Sequence, residues 1–179
     1  MAQKSGNKTI VYHNGDVYEG DTDQELPHGN GTYKHHLRPK DFLRSQQLGK
    51  PLGEYNGPWE NGEKDGEPGT HQYTNGDCYQ GPWIQGKRDT SNNQHQSQGQ
   101  YTYYTKGLRE DMLTKYIGHW SENMKHGYGR MTFTNGDTYD GYWFRGKMDT
   151  RDESDSTYTF KANGATYTGK CSVYFNPSA

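Results

Sequence analysis

Three aspartates are placed where a carboxylate could act as an acid or a base: Asp16, Asp77 and Asp137, each directly behind an Asn-Gly pair. Cys78, Cys171 and eight histidines add candidate nucleophiles and metal ligands. None of these is arranged for chemistry. The aspartates recur at one offset from Asn-Gly, and turn chemistry accounts for that, because Asn and Asp side chains bond backbone groups close by in sequence. His35 and His36 are adjacent and no Cys-x-x-Cys is present, so the spacing of a metal site is missing. So are G-x-S-x-G and the phosphate-binding G-x-x-x-x-G-K-S/T. The sequence reads as a protein that is not an enzyme, with no catalytic residue, no metal and no cofactor.

The same aspartates belong to a longer phrase that repeats. Asn135–Gly146 reads N-G-D-T-Y-D-G-Y-W-F-R-G and Asn75–Gly86 reads N-G-D-C-Y-Q-G-P-W-I-Q-G. Tyr-x-Gly-x-Trp recurs at Tyr55-Gly57-Trp59, Tyr79-Gly81-Trp83, Tyr116-Gly118-Trp120 and Tyr139-Gly141-Trp143. Worn copies begin at Tyr18, with Thr22 in the Trp position, and at Tyr167, with Cys171 there. A chain that repeats itself is read as a repeat architecture first. Asn14-Gly15, between Thr9–His13 and Val17–Gly20, predicts a hairpin with a type I′ turn. In a strand, Tyr79, Gly81 and Trp83 share one face, and Cys78, Gln80, Pro82 and Ile84 share the other. A Gly between two large rings leaves bare backbone for a ring of the neighbouring hairpin to lie against. Pro58 and Pro82 have no N–H to donate, so this position is a bulge or is not needed for pairing. One unit cannot bury its own aromatic face, so units must stack.

Composition agrees. Only 27% of residues are hydrophobic, yet 14% are aromatic, with 16 Tyr and 4 Trp, and the formal net charge is −2. That predicts a thin, ordered structure held by ring packing rather than an aliphatic core. Near-balanced charge argues against nucleic acid as a partner. Met1–Lys8 has no apolar run and no stretch approaches the ~18 apolar residues of a membrane span, so a soluble, intracellular protein is expected.

The expected array covers 9–173, with units starting near 18, 55, 79, 116, 139 and 167 and disordered tails at 1–8 and 174–179. Polar insertions are expected at 34–53, 87–99, 105–115 and 148–156. Short and long spacings between successive tyrosines alternate, which puts insertions in alternate units and suggests that one edge is elaborated for contact. The first insertion carries Arg38, Lys40, Phe42, Leu43 and Arg44. It reads either as a surface loop, with a short helix starting at Pro39, or as a docking loop for a partner.

These residues resemble the membrane occupation and recognition nexus (MORN) repeat, Y-x-G-x-W-x-x-G-x-x-x-G-x-G. Tyr116, Gly118, Trp120, Gly127 and Gly129 fit, with Asn123 replacing one Gly; Tyr55, Gly57, Trp59, Gly62 and Gly66 fit, with Pro68 replacing the last. The resemblance implies an all-β fold: an elongated, single-layer, twisted array of antiparallel β-hairpins with an aromatic groove. It implies a scaffold or adaptor, since such arrays serve in axonemal radial-spoke heads, flagellar proteins, cytoskeletal collars and junctional membrane proteins. The expected protein-binding groove is Tyr55, Trp59, Tyr79, Trp83, Tyr116, Trp120, Tyr139 and Trp143. A single-layer sheet also leaves a second face, which something is expected to cover. The expected setting is cytoplasmic and cytoskeletal, a cilium or flagellum axoneme and its radial spoke, with protein partners there or self-association. The alternative is a peripheral membrane adaptor that binds phosphoinositides through Arg38, Lys40, Arg44 and Lys50.

Overall fold

Each repeat is a hairpin whose two ends are closed by different turns. A computed structural model describes residues 6–35, 53–91, 97–149 and 156–169. The strands are β1 (Gly6–Val11), β2 (Val17–Asp23), β3 (Leu26–Lys34), β4 (Glu54–Glu60), β5 (Glu63–Lys64), β6 (Gly66–Gln72), β7 (Cys78–Ile84) and β8 (Lys87–Arg88). They continue with β9 (Gly99–Thr102), β10 (Lys115–Ser121), β11 (Met124–Thr132), β12 (Thr138–Phe144), β13 (Lys147–Met148), β14 (Ser156–Thr159) and β15 (Thr166–Gly169). A single 3-10 turn, Glu110–Met112, interrupts the pattern, and no α-helix occurs among the described residues.

All fifteen strands form one open antiparallel sheet, in the order β1-β2-β3-β4-β6-β7-β9-β10-β11-β12-β14-β15. The short strands β5, β8 and β13 pair with β4, β7 and β12. Sequence neighbours are spatial neighbours throughout, the order expected of stacked hairpins. At ~4.8 Å per strand the array is roughly 50 Å long.

The Asn-Gly-Asp end is not the type I′ turn that the dipeptide predicts. Only the glycines Gly15, Gly76 and Gly136 have positive φ there; Asn14, Asn75 and Asn135 do not. Gly15 N donates to Tyr12 O at 2.8 Å and Tyr12 N to Asp16 O at 2.9 Å, a longer loop closed by one left-handed Gly. The Asn side chain is the reason. Asn14 Oδ1 accepts from Asp16 N at 3.0 Å and its Nδ2 donates to Asp16 Oδ2, which holds the Asn in ordinary backbone space. Type I′ turns close the opposite end instead, at Asn61-Gly62, Gln85-Gly86 and Arg145-Gly146, where both residues have positive φ. Glu122-Asn123 and Gln24-Glu25 do the same without Gly.

The proline position is a bulge, as its missing N–H suggests. Register shifts between Gly20 and Thr22 and between Gly118 and Trp120, leaving out Asp21 and His119 at the position of Pro58 and Pro82. Residues 6–8, expected in a disordered tail, instead pair with β2 from Gly6↔Thr22 onward, because the backbone of β2 offers a free edge there. The insertions fall in two places. The breaks between β3 and β4 and between β9 and β10 fall at the Asn-Gly-Asp edge, whereas those between β8 and β9 and between β13 and β14 fall within a return strand. A single elaborated edge accounts for the first pair alone.

The register aligns the two faces as continuous rows. One row runs Ile10, Tyr18, Tyr33, Tyr55, His71, Tyr79, Tyr101, Tyr116, Met131, Tyr139, Tyr158 and Tyr167. The adjacent row, on the other face, runs Thr9, Glu19, Thr32, Asn56, Thr70, Gln80, Gln100, Ile117, Arg130, Asp140, Thr157 and Thr168. Apart from Ile117 this second row is polar. The same face also carries Tyr128, 43% exposed and edge-on to Tyr142 at 5.4 Å.

Candidate functional site

The core is the aromatic face itself. Tyr18, Tyr55, Tyr79, Tyr116 and Tyr139 are 0% exposed, and Trp59, Trp83, Trp120 and Trp143 are nearly so. Each Tyr ring folds back over glycines of its own hairpin. A Cβ on Gly129 would collide with the Tyr116 ring, and one on Gly31 with that of Tyr18. The ring over the bare backbone is therefore the unit's own Tyr, joined by the Trp of the next unit: a Cβ on Gly69 would meet Trp83 Cδ1 at 2.5 Å. The hydroxyls end on the bulge carbonyls. Tyr55 donates to Pro58 O, Tyr79 to Pro82 O and Tyr116 to His119 O, each at 3.0 Å. Burial raises the hydroxyl pKa of Tyr55, Tyr79 and Tyr116, so these rings stay neutral donors.

Every Trp bridges two units. Trp83 meets Tyr55 and Tyr79 edge-on at 5.3 and 5.4 Å, and Trp120 meets Tyr79 and Tyr116 at 5.3 Å each. Trp59 and Trp143 do the same with Tyr18 and Tyr55 and with Tyr116 and Tyr139. Each such pair adds about 0.5–1.5 kcal/mol beyond area burial. The indole N–H donates back to the preceding return strand: Trp59 to Gly31 O, Trp83 to Gly69 O, Trp120 to Gly99 O and Trp143 to Gly129 O.

The recurring aspartates are clamps between hairpins. Asp77 accepts from Tyr101 OH at 2.7 Å, Tyr104 N at 2.8 Å and Asn75 Nδ2 at 2.7 Å. Asp137 takes Tyr158 OH, Lys161 N and Asn135 Nδ2 in the same way, and the backbone bond from Lys161 leads in holding its carboxyl below the usual range.

Above the tryptophans lies a layer with two components. The first is cationic. Lys64 Nζ stands 4.8 Å from the Tyr55 ring centroid and 4.9 Å from that of Trp83. Arg88 lies over Trp120 and Tyr101 at 4.7 and 5.1 Å, and Lys125 over Trp143 and Tyr116 at 4.0 and 5.5 Å. Burial lowers Lys64 and Lys125 to about 8. The second component is a strip of half-buried rings, including Tyr33, Tyr73, Tyr101, Tyr103, Phe133 and Phe160. His71 stacks on Tyr73 at 4.2 Å, and burial, then Lys64, His35 and Arg88, lower it to about 3.

The MORN repeat family pattern matches residues 18–35, 116–138 and 139–149. The chain carries MORN repeats. No curated protein matches the chain. The matched segments include the worn unit at Tyr18, and units 55 and 79 fold in the same register as the matched ones. MORN repeats are in general scaffolds that bind proteins or membranes and are not enzymes.

In this MORN array the expected groove residues Tyr55, Trp59, Tyr79, Trp83, Tyr116, Trp120, Tyr139 and Trp143 do come together in one continuous face. They spend their rings on one another, so the surface left for a partner is the strip above them. The last unit differs from expectation: Tyr167 is 46% exposed, and Tyr158 at 1% is the terminal ring of the ladder. The candidate docking loop of Arg38, Lys40, Phe42, Leu43 and Arg44, together with Lys50 and Cys171, lies outside the described residues. Among the described residues no His, Cys, Asp and Glu cluster suits a metal ion, and no helix is long and apolar enough to cross a membrane.

The sequence reading missed the cations and the strip, although both leave signals. Lys64, Arg88 and Lys125 each stand five residues after a Trp. The strip residues pair two apart on the return strands, as in His71/Tyr73, Tyr101/Tyr103 and Met131/Phe133, which puts each pair on one face.

Proposed function

We propose that this chain is a non-enzymatic scaffold that binds a protein partner along the strip above its aromatic ladder. The observation that carries the reading is the division of labour on that face. Tyr18 to Tyr139 and the tryptophans are consumed by the fold, while Tyr33, Tyr73, Tyr101, Tyr103 and Phe133 retain surface on a rigid backing. Rigid, partly exposed aromatics bury much area at little entropic cost when a partner docks. The proposed setting is a cytoskeletal assembly in the cytoplasm, a ciliary or flagellar axoneme and within it the radial spoke, and it rests on the family resemblance alone.

A photo-reactive residue placed at Tyr101, with a second protein carrying it at Gln80 on the polar face, tests both parts in cells. Cross-links from position 101 but not from 80, to a protein that stays with the detergent-insoluble cytoskeleton, support the proposal. Equal cross-linking from both faces would remove the docking face. Full release of the protein on detergent extraction would remove the cytoskeletal setting.

A further inference from the structure

Lys64, Arg88 and Lys125 differ from the other described cations in that each lies over two or more aromatic rings. Lys8, Lys34, Lys87, Arg109 and Arg130 are each paired with a carboxylate, respectively Glu25, Glu19, Glu122, Asp111 and Asp140. Lys64, Arg88 and Lys125 have no carboxylate partner among the described residues. Lys64 Nζ has only His71 Nδ1, at 3.2 Å. Arg88 gives one N–H to Asn123 O at 2.7 Å, and its buried Nε has no acceptor. A desolvated cation over rings, with no counter-charge, has an unmet electrostatic need.

The fold does not require these charges. Lys64, Arg88 and Lys125 are the register partners of Trp59, Trp83 and Trp120, and the same place opposite Trp143 is filled by Met148. At the first unit it is filled by Pro27, opposite Thr22. An apolar residue thus completes the unit at either end of the array, and the charges are confined to its middle.

Their spacing limits what can meet them. Successive cations are two strand positions apart, from β4 to β7 and from β7 to β10, which is about 10 Å. Residues seven apart in an α-helix lie on one side and are separated by about 10.5 Å. The cations lie against the rings of this face, in a row that carboxylates spaced along one helix can match.

We propose that the aromatic face receives an acidic α-helical segment of a partner protein, laid across the strands, with carboxylates at seven-residue intervals set against Lys64, Arg88 and Lys125. This rests on the docking face proposed above and names the chemistry of its occupant. The half-buried rings Tyr73, Tyr101, Tyr103 and Phe133 take the apolar side of the same helix. The lowered basicity of Lys64 and Lys125 is relieved when a carboxylate arrives, so binding takes up protons near pH 8.

The test uses the full chain and a labelled helical peptide with Glu at every seventh position, beside the same peptide with Gln in those places. Fluorescence anisotropy is expected to give at least about tenfold tighter binding of the Glu peptide at low salt. Joint Lys64→Met, Arg88→Met and Lys125→Met substitution is expected to erase that difference while near-ultraviolet circular dichroism of the rings is kept. Equal binding of the two peptides to the unaltered protein overturns the acidic preference yet leaves the docking face standing. That comparison needs no variant to fold. No binding of either peptide overturns the helical occupant, and a negative cross-link from position 101 separately removes the face. Vesicles of phosphatidylcholine carrying phosphatidylinositol bisphosphate form the third arm. Binding to them in place of the Glu peptide, lost in the triple variant, reassigns the cations to a lipid headgroup and overturns the proposal.

Discussion

The two faces of this sheet are drawn from the same strands, residue by residue, yet they have opposite relations to water. Tyr79, Gly81 and Trp83 are buried, whereas Gln80 between them is exposed. On the aromatic side each strand contributes a ring, a gap that the ring fills and a bridge to the next hairpin. On the polar side it contributes mostly Thr, Asn, Gln and paired charges, such as Lys34 with Glu19, beside a few apolar residues such as Pro82, Ile117 and Tyr128. A one-layer sheet ordinarily has nothing to pack against. Here the Tyr and Trp rings together form the second layer, so the chain makes its core by folding side chains back onto its own glycines.

That contrast breaks most violently at a glycine of the aromatic face. Gly129→Val is expected to prevent folding or to cost more than about 3 kcal/mol, because the new side chain occupies the place of the Tyr116 ring and the ring has nowhere to move. Urea titration of soluble protein, or its absence from the soluble fraction, checks this. Tyr79→Ala follows at about 3–5 kcal/mol, since it empties the slot between Trp83 and Trp120 and strands the Pro82 carbonyl bond. A smaller but still sharp loss, about 1–3 kcal/mol, is expected for Asp77→Ala, which removes the carboxylate that accepts from Tyr101 OH and Tyr104 N. At the small end, Thr70→Ala on the polar face is expected within about 0.5 kcal/mol of the parent protein. A loss at Thr70 as large as that at Asp77 would mean that the faces are not energetically distinct.

The buried cations add a pH signature that the polar face lacks. Lys64 and Lys125 have folded values near 8 and ordinary values of 10.5, so between these limits the unfolded chain binds more protons. Stability contributed by their neutralisation therefore rises with pH from about 8 and is complete near 10.5. His71, lowered from 6.5 to about 3, makes stability fall as pH drops through that lower window, because protons bind the unfolded chain first. The buried tyrosines oppose any gain above about pH 10, since their raised values favour proton release from the unfolded chain. Denaturation midpoints between pH 7 and 9.5 are thus expected to rise, and the rise is expected to shrink in Lys125→Met. Lys87→Met, at an exposed paired lysine, is expected to leave the slope unchanged.

Much of this was legible because the repeat is periodic. The offsets Tyr-x-Gly-x-Trp, read with the alternation of a strand, place Tyr79, Gly81 and Trp83 on one side without any coordinates. Proline at the bulge was likewise readable from its missing N–H. The hairpin turn was misassigned because Asn-Gly alone does not say whether Asn spends its side chain on the following residue; Asn14 does, and the loop lengthens. The cations went unread for a different reason. Trp83 and Arg88 are joined only by the register across a two-residue turn, and their charge is close to rings of other units, Tyr73 and Tyr101.

The sequence by itself determined the all-β class, the stacking unit and the residues that build the aromatic face, because each of these follows from local chemistry repeated at a constant interval. Only the tertiary structure decided which rings remain for a partner. Exposure depends on what the neighbouring hairpin brings. Trp83 is buried by Tyr55 of the unit before it, Tyr101 keeps its surface because no later ring covers it fully, and Lys64 loses its water to both Tyr55 and Trp83. Contacts such as Trp83 with Tyr55 and Lys64 with Trp83 cross from one unit to the next, and no single repeat contains them.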